Sequence, residues 1–183
     1  MKFCSECGSP VRQGIPEGDD HVRHICDTCG SIHYHNPKVI AGCIPVWGDR
    51  ILLCKRAIDP RKGFWTLPAG FMEQGETLSQ AARREALEEA NINVEIDDLY
   101  TLFSLPQISQ VYVFFRARMV EERFFPGLES LETRLFREDE IPWEDIAFET
   151  VRRSLEHFLL DRKNGEFLLR LEDISPERWR THG

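Results

Sequence analysis

Three glutamates lie close together in a stretch that is rich in helix-forming residues. Glu85, Glu88 and Glu89 are spaced i, i+3 and i+4, so a helix would carry them on one face. At about 100° per residue they fall within an arc of about 100°, which also contains Leu78 and Ala81 and has Ala82 at its edge. A face that begins apolar therefore becomes acidic toward the end of the predicted helix.

Carboxylates on a core-facing surface need a compensating cation, because charges turned toward the protein interior are costly to desolvate. Hard carboxylate oxygens with no thiolate or imidazole nearby favour Mg²⁺ or Mn²⁺. The alternative is a solvated glutamate face on which Arg83 and Arg84 act as local partners. Taken alone, these residues leave both interpretations open.

Four of the six cysteines form two identical pairs, Cys4-x-x-Cys7 and Cys26-x-x-Cys29, with 18 residues between the pairs. This spacing is typical of a tetrahedral zinc site, and a glycine follows each pair where a tight turn needs a positive φ. Four thiolates would fill the coordination shell, so the predicted Zn²⁺ is structural. Two disulfides are the alternative, which the lack of a secretory signal disfavours.

The charged residues around the glutamates resemble the Nudix box, G-x5-E-x7-R-E-U-x-E-E-x-G-U, where U is apolar. Gly70, five residues, Glu76 and seven residues lead to the run Arg-Glu-Ala-Leu-Glu-Glu-Ala-Asn-Ile at 84–92. The departures are Ala86, a small residue at an apolar position, and Asn91 in place of the second glycine. Asparagine also adopts the left-handed conformation that ends helices.

The resemblance implies roles for individual residues. By position, Glu85, Glu88 and Glu89 would bind Mg²⁺ or Mn²⁺, and the carbonyl of Gly70 would complete the coordination. Arg84 would orient Glu85. The general base would be Glu85 or a glutamate of the later loop 126–132, for which Glu129 is the candidate.

Basic and aromatic residues elsewhere are candidates for substrate binding. Arg56 and Arg61 flank an aromatic segment and would stabilise a leaving phosphate, whereas Trp65 and Tyr112 would stack on a base. The alternatives are a solvated surface loop for the arginines and core positions for the aromatic residues.

The resemblance implies hydrolysis of a nucleoside diphosphate linked to another group, with FAD or ADP-ribose as the expected substrate and AMP as a product. The paired cysteines, followed by the run Ile-His-Tyr-His-Asn-Pro at 32–37, resemble the Nudix subgroup with an N-terminal zinc ribbon. NADH or NAD-cap pyrophosphatases share this architecture and are the enzymatic alternative. They are marked by a Ser-Gln-Pro-Trp-Pro-Phe-Pro segment, but residues 104–110 here read Ser-Leu-Pro-Gln-Ile-Ser-Gln and lack both aromatic rings.

The elements that must position these residues are predicted to form an α+β protein, an α/β/α sandwich preceded by a small zinc ribbon. The pattern predicts helices at 77–90 and 146–160, and strands at 39–47, 50–55, 92–96, 100–104, 111–119 and 133–136. The expected domains are a zinc ribbon at 1–36, a Nudix hydrolase domain at 37–163 and a C-terminal extension at 164–183.

The composition limits the kinds of partner. Lys and Arg total 23 against 31 Asp and Glu in 183 residues, and the ribbon carries three basic against five acidic residues, which argues against nucleic-acid binding. A nucleotide-sensing or RNA-binding module is thus the disfavoured alternative of another class. No apolar run approaches the roughly 18 residues of a membrane span. We expect a cytoplasmic protein with a small-molecule nucleotide substrate, and the resemblance implies a homodimer.

Overall fold

The computed structural model describes residues 1–175, which divide between two compact units, Met1–Pro37 and the chain from Lys38 onward. The smaller unit contains an antiparallel sheet of three short strands, β1 Arg12–Gly14, β2 Arg23–Ile25 and β3 Ile32–His33. No α-helix in the described part of the chain is long and apolar enough to cross a membrane.

The larger unit is built around one mixed sheet. Its described elements are β4 Lys38–Trp47, β5 Arg50–Arg56, β6 Trp65–Thr66, β7 Ala69–Phe71, α1 Leu78–Ala90, β8 Val94–Leu105, β9 Gln110–Met119, β10 Ser130–Phe136, α2 Glu149–Asn164 and β11 Arg170–Asp173. The strand order is β10-β5-β4-β9-β8-β11, while β6 pairs with β5 and β7 pairs with β4. The β4–β9 and β8–β11 pairs are parallel, and the others are antiparallel.

The two helices cover opposite faces of this sheet. Adjacent residues of a strand point to opposite faces, and Cys43 and Ile44 of β4 belong to different clusters of buried apolar side chains. The Cys43 cluster includes Ala86 of α1, whereas the Ile44 cluster includes Leu155 of α2. The arrangement confirms the predicted α/β/α sandwich.

Helix α1 begins and ends at the residues that the sequence predicts. Thr77 is the N-cap residue, and it forms a capping box with Gln80 in which each side chain accepts a backbone N–H of the other residue. Asn91 ends the helix in the left-handed conformation, with φ 51° and ψ 39°. The face toward the sheet carries alanines, which let the helix lie close to the strands.

Strand β8 differs from the prediction, which placed two strands at 92–96 and 100–104. The acidic pair Asp97 and Asp98 indicates a break between two strands. In the structure a single strand continues through this pair, and its register relative to β9 shifts there. Arg118 and Arg116 of the neighbouring β9 bind the two carboxylates, at 3.0 and 2.7 Å. Cross-strand ion pairs therefore hold polar residues within the sheet.

The segment after α2 adds a strand that the sequence analysis missed. The alternation of Arg170, Leu171 and Glu172 is short and polar, yet β11 pairs with β8 at the edge of the sheet. Helix α2 begins at Glu149 rather than 146 and ends at Asn164 rather than 160. Within the predicted C-terminal extension, residues 176–183 lie outside the described residues.

A buried carboxylate ties α2 to β8 and to the segment that leads into β11. Asp161 is 3% exposed and accepts hydrogen bonds from the hydroxyl of Tyr100 at 2.8 Å, Nη2 of Arg170 at 2.6 Å and the backbone N–H of Leu168 at 3.3 Å. Burial alone would raise the pKa of Asp161, but these hydrogen bonds outweigh it, and the net effect lowers the pKa.

Asp161→Asn should therefore lower the free energy of unfolding by about 2 kcal/mol at pH 7, because it removes charge-assisted hydrogen bonds in a buried site. A lowered pKa gives stabilisation that is present above the unfolded-state value of about 4 and is lost as the pH falls through the folded-state value. Urea unfolding should thus show a smaller gap between variant and wild type at pH 3. Asp98→Asn, which removes an exposed carboxylate, is the control with an expected change below about 0.5 kcal/mol; equal losses in both variants would contradict the prediction.

Candidate active site

One cleft of about 1000 Å³ in the larger unit contains most of the residues that the sequence singled out. Its walls come from α1, β7, the β5–β6 loop, β9, the β9–β10 loop and the start of α2. The predicted site residues that line it are Arg56, Arg61, Gly70, Arg84, Glu85, Glu88, Glu89, Tyr112 and Glu129.

Two of the three glutamates are buried at this cleft. Glu85 and Glu89 are 8% and 7% exposed, whereas Glu88 projects into solvent. Burial raises the pKa of Glu89 to about 8, and the charge of Glu85 adds to this effect against the opposing influence of Arg56. Burial likewise raises the pKa of Glu85, although Arg84 acts in the opposite direction. Glu85 and Glu89 are therefore not part of a solvated glutamate face, and only Glu88 of the three is exposed.

Arg84 joins the acidic residues of the motif into one network. Its guanidinium donates two hydrogen bonds to Glu76, at 2.7 and 3.1 Å, and its Nη1 donates to Glu85 at 2.6 Å and to Glu88 at 3.1 Å. Nη2 also donates to the carbonyl of Phe71 at 3.0 Å. These contacts raise the pKa of Arg84 and fix the orientation of the Glu85 carboxylate.

Gly70 allows the backbone of β7 to approach the acidic face of α1. A Cβ atom at this position would overlap the carboxylate of Glu85. Within the described residues, the oxygens of Glu85, Glu88 and Glu89 do not gather within 4.8 Å of one another, as the cysteine sulfurs do. The like charges and the guanidinium of Arg84 between Glu85 and Glu88 account for this separation.

The residues of this wall fit a divalent cation. Oxygen Oε2 of Glu89 is buried and has no hydrogen-bond partner among the described residues. A buried carboxylate oxygen without a partner is unfavourable unless a cation compensates it. Glu85 and Glu88 also line the cleft, and their carboxylate oxygens match the preference of Mg²⁺ and Mn²⁺ for hard ligands.

The predicted substrate-binding residues divide into two groups. Arg56 lies over the ring of Phe148, 5.0 Å from its centroid, and donates to the carbonyl of Pro60 at 2.8 Å, while Arg61 lies 5.3 Å from the ring centroid of Phe64. Both arginines line the cleft, as does Tyr112, whose pKa is raised by burial. These three side chains are therefore available to a ligand in the cleft.

Trp65 is the exception, because the structure places it in the core rather than at the cleft. It is 7% exposed and belongs to the core cluster on the α2 side of the sheet, where its ring packs edge-on against Phe136 with 4.9 Å between centroids. It is not among the residues that line the cleft in the described part of the chain. Its neighbour Thr66 lines the cleft instead, because alternate residues of a strand face opposite ways.

The β9–β10 loop, residues 120–129, brings Glu129 to the cleft. Its Gly127 donates a backbone hydrogen bond to the carbonyl of Glu89 at 2.9 Å, and a Cβ atom at Gly127 would overlap the carbonyl oxygen of Glu88. On the other side, the carbonyl of Glu129 accepts from the N–H of Ala57 at 2.8 Å. The negative charge of Glu129 contributes to the raised pKa values of Glu85 and Glu89.

The first turn of α2 is a part of the cleft that the sequence analysis missed. Thr150 is 2% exposed, lines the cleft, and has a buried hydroxyl oxygen with no partner among the described residues. The N-cap residue Phe148 provides no side-chain cap, so the first backbone N–H groups of this helix lack partners within it. A polar residue at the start of a helix is common, and only the tertiary structure shows that this one meets the cleft.

The four paired cysteines form a second cluster, in the smaller unit. Their sulfur atoms all lie within 4.8 Å of one another and are not joined in disulfides. The backbone N–H groups of Gly8 and Gly30 donate to the carbonyls of Cys4 and Cys26, at 3.0 and 2.9 Å, and both glycines have positive φ as predicted. Two equivalent turns thus present four thiols toward one point, which suits tetrahedral coordination of Zn²⁺.

Two family models match the chain. The model described as NUDIX domain matches residues 36–173, and the model described as Nudix N-terminal, a zinc ribbon, matches residues 2–35. The chain belongs to the Nudix family. The first match contains the whole cleft and the second contains the four cysteines, so the predicted resemblance to a Nudix hydrolase with an N-terminal zinc ribbon is confirmed.

Curated relatives in this family have longer chains than this protein. The NAD-capped RNA hydrolases NudC of Salmonella heidelberg and of Salmonella typhi are each 34% identical to this protein over 159 residues. The matches cover 85% of this chain and 59% of theirs, so the chain spans about three fifths of the length of the curated relatives it matches.

Solved structures extend the comparison to the fold. A Nudix hydrolase from Nitrosomonas europaea is 57% identical, with a TM-score of 0.91 over 95% of this chain and 100% of that chain. An ADP-ribose pyrophosphatase from Streptococcus suis shares the fold alone, at 20% identity and a TM-score of 0.60 over 74% of this chain and 99% of that chain.

The cysteine cluster of this Nudix protein should hold about one zinc ion per chain. Cys26→Ser should abolish zinc binding and unfold the ribbon, because the remaining thiolates cannot close the site and a unit of this size has little core of its own. Elemental analysis of protein purified without chelators measures the zinc. Cys43→Ala, which alters a buried thiol of the other unit, is the control that should retain zinc. Undiminished zinc in Cys26→Ser would disprove this assignment.

Proposed function

We propose that this Nudix protein hydrolyses the pyrophosphate bond of a nucleoside diphosphate linked to another group. The observation that carries the proposal is a buried carboxylate oxygen of Glu89 that has no partner within residues 1–175, at a cleft that also contains Glu85 and Glu88. In this proposal the three glutamates and the carbonyl of Gly70 hold Mg²⁺ or Mn²⁺. When bound, these ions neutralise the charge of the pyrophosphate and make a water molecule more acidic.

The arginines of the cleft have separate roles in the proposed reaction. Arg84 keeps the Glu85 carboxylate in place through the 2.6 Å hydrogen bond between them. Arg56, at the end of β5, and Arg61, in the β5–β6 loop, also line the cleft and stabilise the negative charge that develops on the departing phosphate. Their contacts with Phe148 and Phe64 limit the positions that the two guanidinium groups adopt.

Glu129 is the proposed general base. It lines the cleft, is exposed, and forms no ion pair within residues 1–175, whereas Glu85 accepts a short hydrogen bond from Arg84. In the proposed step the carboxylate of Glu129 takes a proton from water, whose oxygen bonds to phosphorus as the bridging P–O bond breaks. With an adenosine diphosphate derivative the products are AMP and the phosphorylated second group.

The lining of the cleft also offers groups that suit a nucleoside. Its apolar side chains include Ile40, Leu105 and Phe114. The hydroxyl of Thr150 and the N–H groups at the start of α2 offer hydrogen bonds to polar atoms on a base or sugar. A base has apolar faces and polar atoms at its edge, so it could contact the apolar side chains and also bind the hydrogen-bonding groups.

Glu89→Gln should lower kcat by at least about 100-fold at saturating Mg²⁺, because the change removes an anionic ligand while it keeps the side-chain volume. Glu88→Gln should have an effect in the same direction. The metal-free Glu89→Gln protein should be no less stable than wild type, since burial disfavours the charged form of the carboxyl that the neutral amide replaces. Glu156→Gln, on the exposed face of α2, is the matched control and should keep full activity. Wild-type turnover in both cleft variants would refute the metal site.

Within this class of substrate we propose FAD or ADP-ribose ahead of NADH. Leu105, Ile108 and Gln110 of the 104–110 segment line the cleft, so the absence of aromatic rings from this segment affects the binding surface itself. Stacking of a base on an aromatic side chain contributes about 1–3 kcal/mol. Without these aromatic rings, we expect the cleft to lack the stacking contact that would favour NADH over FAD or ADP-ribose.

We therefore expect kcat/KM for FAD or ADP-ribose to exceed that for NADH by about 10–100-fold. Ile108→Trp should narrow this difference, because Ile108 is half exposed and an indole there restores a stacking surface. Parallel assays of the three substrates, with release of AMP as the readout, measure both quantities. A higher kcat/KM for NADH than for the other two would reverse the ranking and leave the hydrolase proposal intact.

A nicotinamide dinucleotide or an NAD-capped RNA is the second candidate. It is favoured by the 34% identity to proteins named NAD-capped RNA hydrolase. The same assay decides between the candidates when a capped RNA is added to the panel. We further propose a cytoplasmic homodimer, an assembly state that analytical ultracentrifugation would test.

A further inference from the structure

Asn91 is the one departure from the Nudix box that changes the hydrogen bonds a residue can form. Glycine at this position would allow the left-handed conformation but would carry no side chain. In the structure, Asn91 has that conformation, and its Nδ2 donates a hydrogen bond to the carbonyl of Phe125 at 3.1 Å. The side chain thus links the end of α1 to the 120–129 loop.

Backbone hydrogen bonds hold the loop against the same end of the helix. The last carbonyls of a helix have no partner within it. Here the N–H of Phe125 donates to the carbonyl of Ala90 at 3.1 Å, and the N–H of Gly127 donates to the carbonyl of Glu89 at 2.9 Å. Because Gly127 has no Cβ, the loop can lie directly on the helix backbone.

The loop leads directly to Glu129. Ser130 follows it and pairs with Arg56 at the start of β10, while the carbonyl of Glu129 accepts from Ala57. The sheet therefore fixes the C-terminal side of Glu129. The preceding residues 125–127 are held by the contacts with α1 and by a hydrogen bond from the N–H of Ser130 to the carbonyl of Gly127 at 3.1 Å. An exposed loop that is held by few hydrogen bonds opens easily when one of them is lost.

We propose that Asn91 is a positioning residue, whose side-chain amide fastens the 120–129 loop to the end of α1 and so holds Glu129 beside the glutamates of that helix. The inference rests on the proposed function, in which Glu129 is the general base. One helix then carries the metal ligands and, through its C-terminal residue, sets the place of the base.

Amide hydrogen exchange tests the anchoring step without any substrate. Asn91→Gly keeps the left-handed backbone and removes only the amide, so exchange in residues 124–130 should become about 3–10-fold faster. Asn93→Ala is the matched control, because Asn93 is exposed nearby and its side chain forms no hydrogen bond within the described residues. In this variant the amide hydrogens of residues 124–130 should exchange at the wild-type rate. Unchanged exchange in Asn91→Gly would overturn the proposal.

A double-mutant cycle tests whether Asn91 acts through Glu129. Asn91→Gly should lower kcat about 3–10-fold, with KM and Mn²⁺ affinity within twofold of wild type. Glu129→Gln should lower kcat about 10²–10⁴-fold, and adding Asn91→Gly to it should cause no further loss. A helix that was merely destabilised would instead lose metal affinity in both backgrounds.

Three results would overturn the proposal in distinguishable ways. An equal loss of kcat in both backgrounds would show that Asn91 does not act through Glu129. Wild-type turnover by Glu129→Gln would remove the base from the mechanism while the metal-site assignment remained. Absence of turnover by the wild-type protein on every pyrophosphate tested would refute the proposed function as well.

Discussion

The carboxylates of Glu85 and Glu89 lie on the side of α1 that faces the sheet, where an uncompensated charge is unfavourable. Other features at this end of the helix follow from that constraint. Arg84 spans the acidic residues of the motif, and Gly70 leaves room for a carboxylate against the strand. Oε2 of Glu89 still has no hydrogen-bond partner in the described part of the chain, and a divalent cation would compensate its charge.

The same helix serves the core and the cleft because its buried face carries both alanines and glutamates. Ala82, Ala86 and Ala90 pack in the core cluster with residues of β4 and β5, which fixes the helix axis relative to the sheet. Glu85 and Glu89 are also buried and line the cleft. Core packing therefore determines where the carboxylates lie, and a shift of the helix would move every acidic residue together.

Features set by local interactions were predictable from the sequence, and features set by distant partners were not. The ends of α1 follow from Thr77, Gln80 and Asn91, which act on neighbouring backbone groups. The acidic face follows from residue spacing alone. By contrast, Trp65 is of a residue type that is common in binding sites, and only the tertiary structure, in which its ring packs against Phe136, shows that it belongs to the core. The orphan hydroxyl of Thr150 likewise depends on which elements meet at the cleft.

The parallel pairing of β11 with β8 has a consequence for how the chain folds. Arg170 pairs with Thr101, and the residues between them include β9, β10 and α2. Contacts between such distant residues form late, because a long segment must be ordered first. During synthesis, one edge of β8 would thus stay unpaired until the chain beyond residue 170 had emerged from the ribosome. An unpaired strand edge can join with another chain, so this is the stage at which nascent molecules are most prone to associate wrongly.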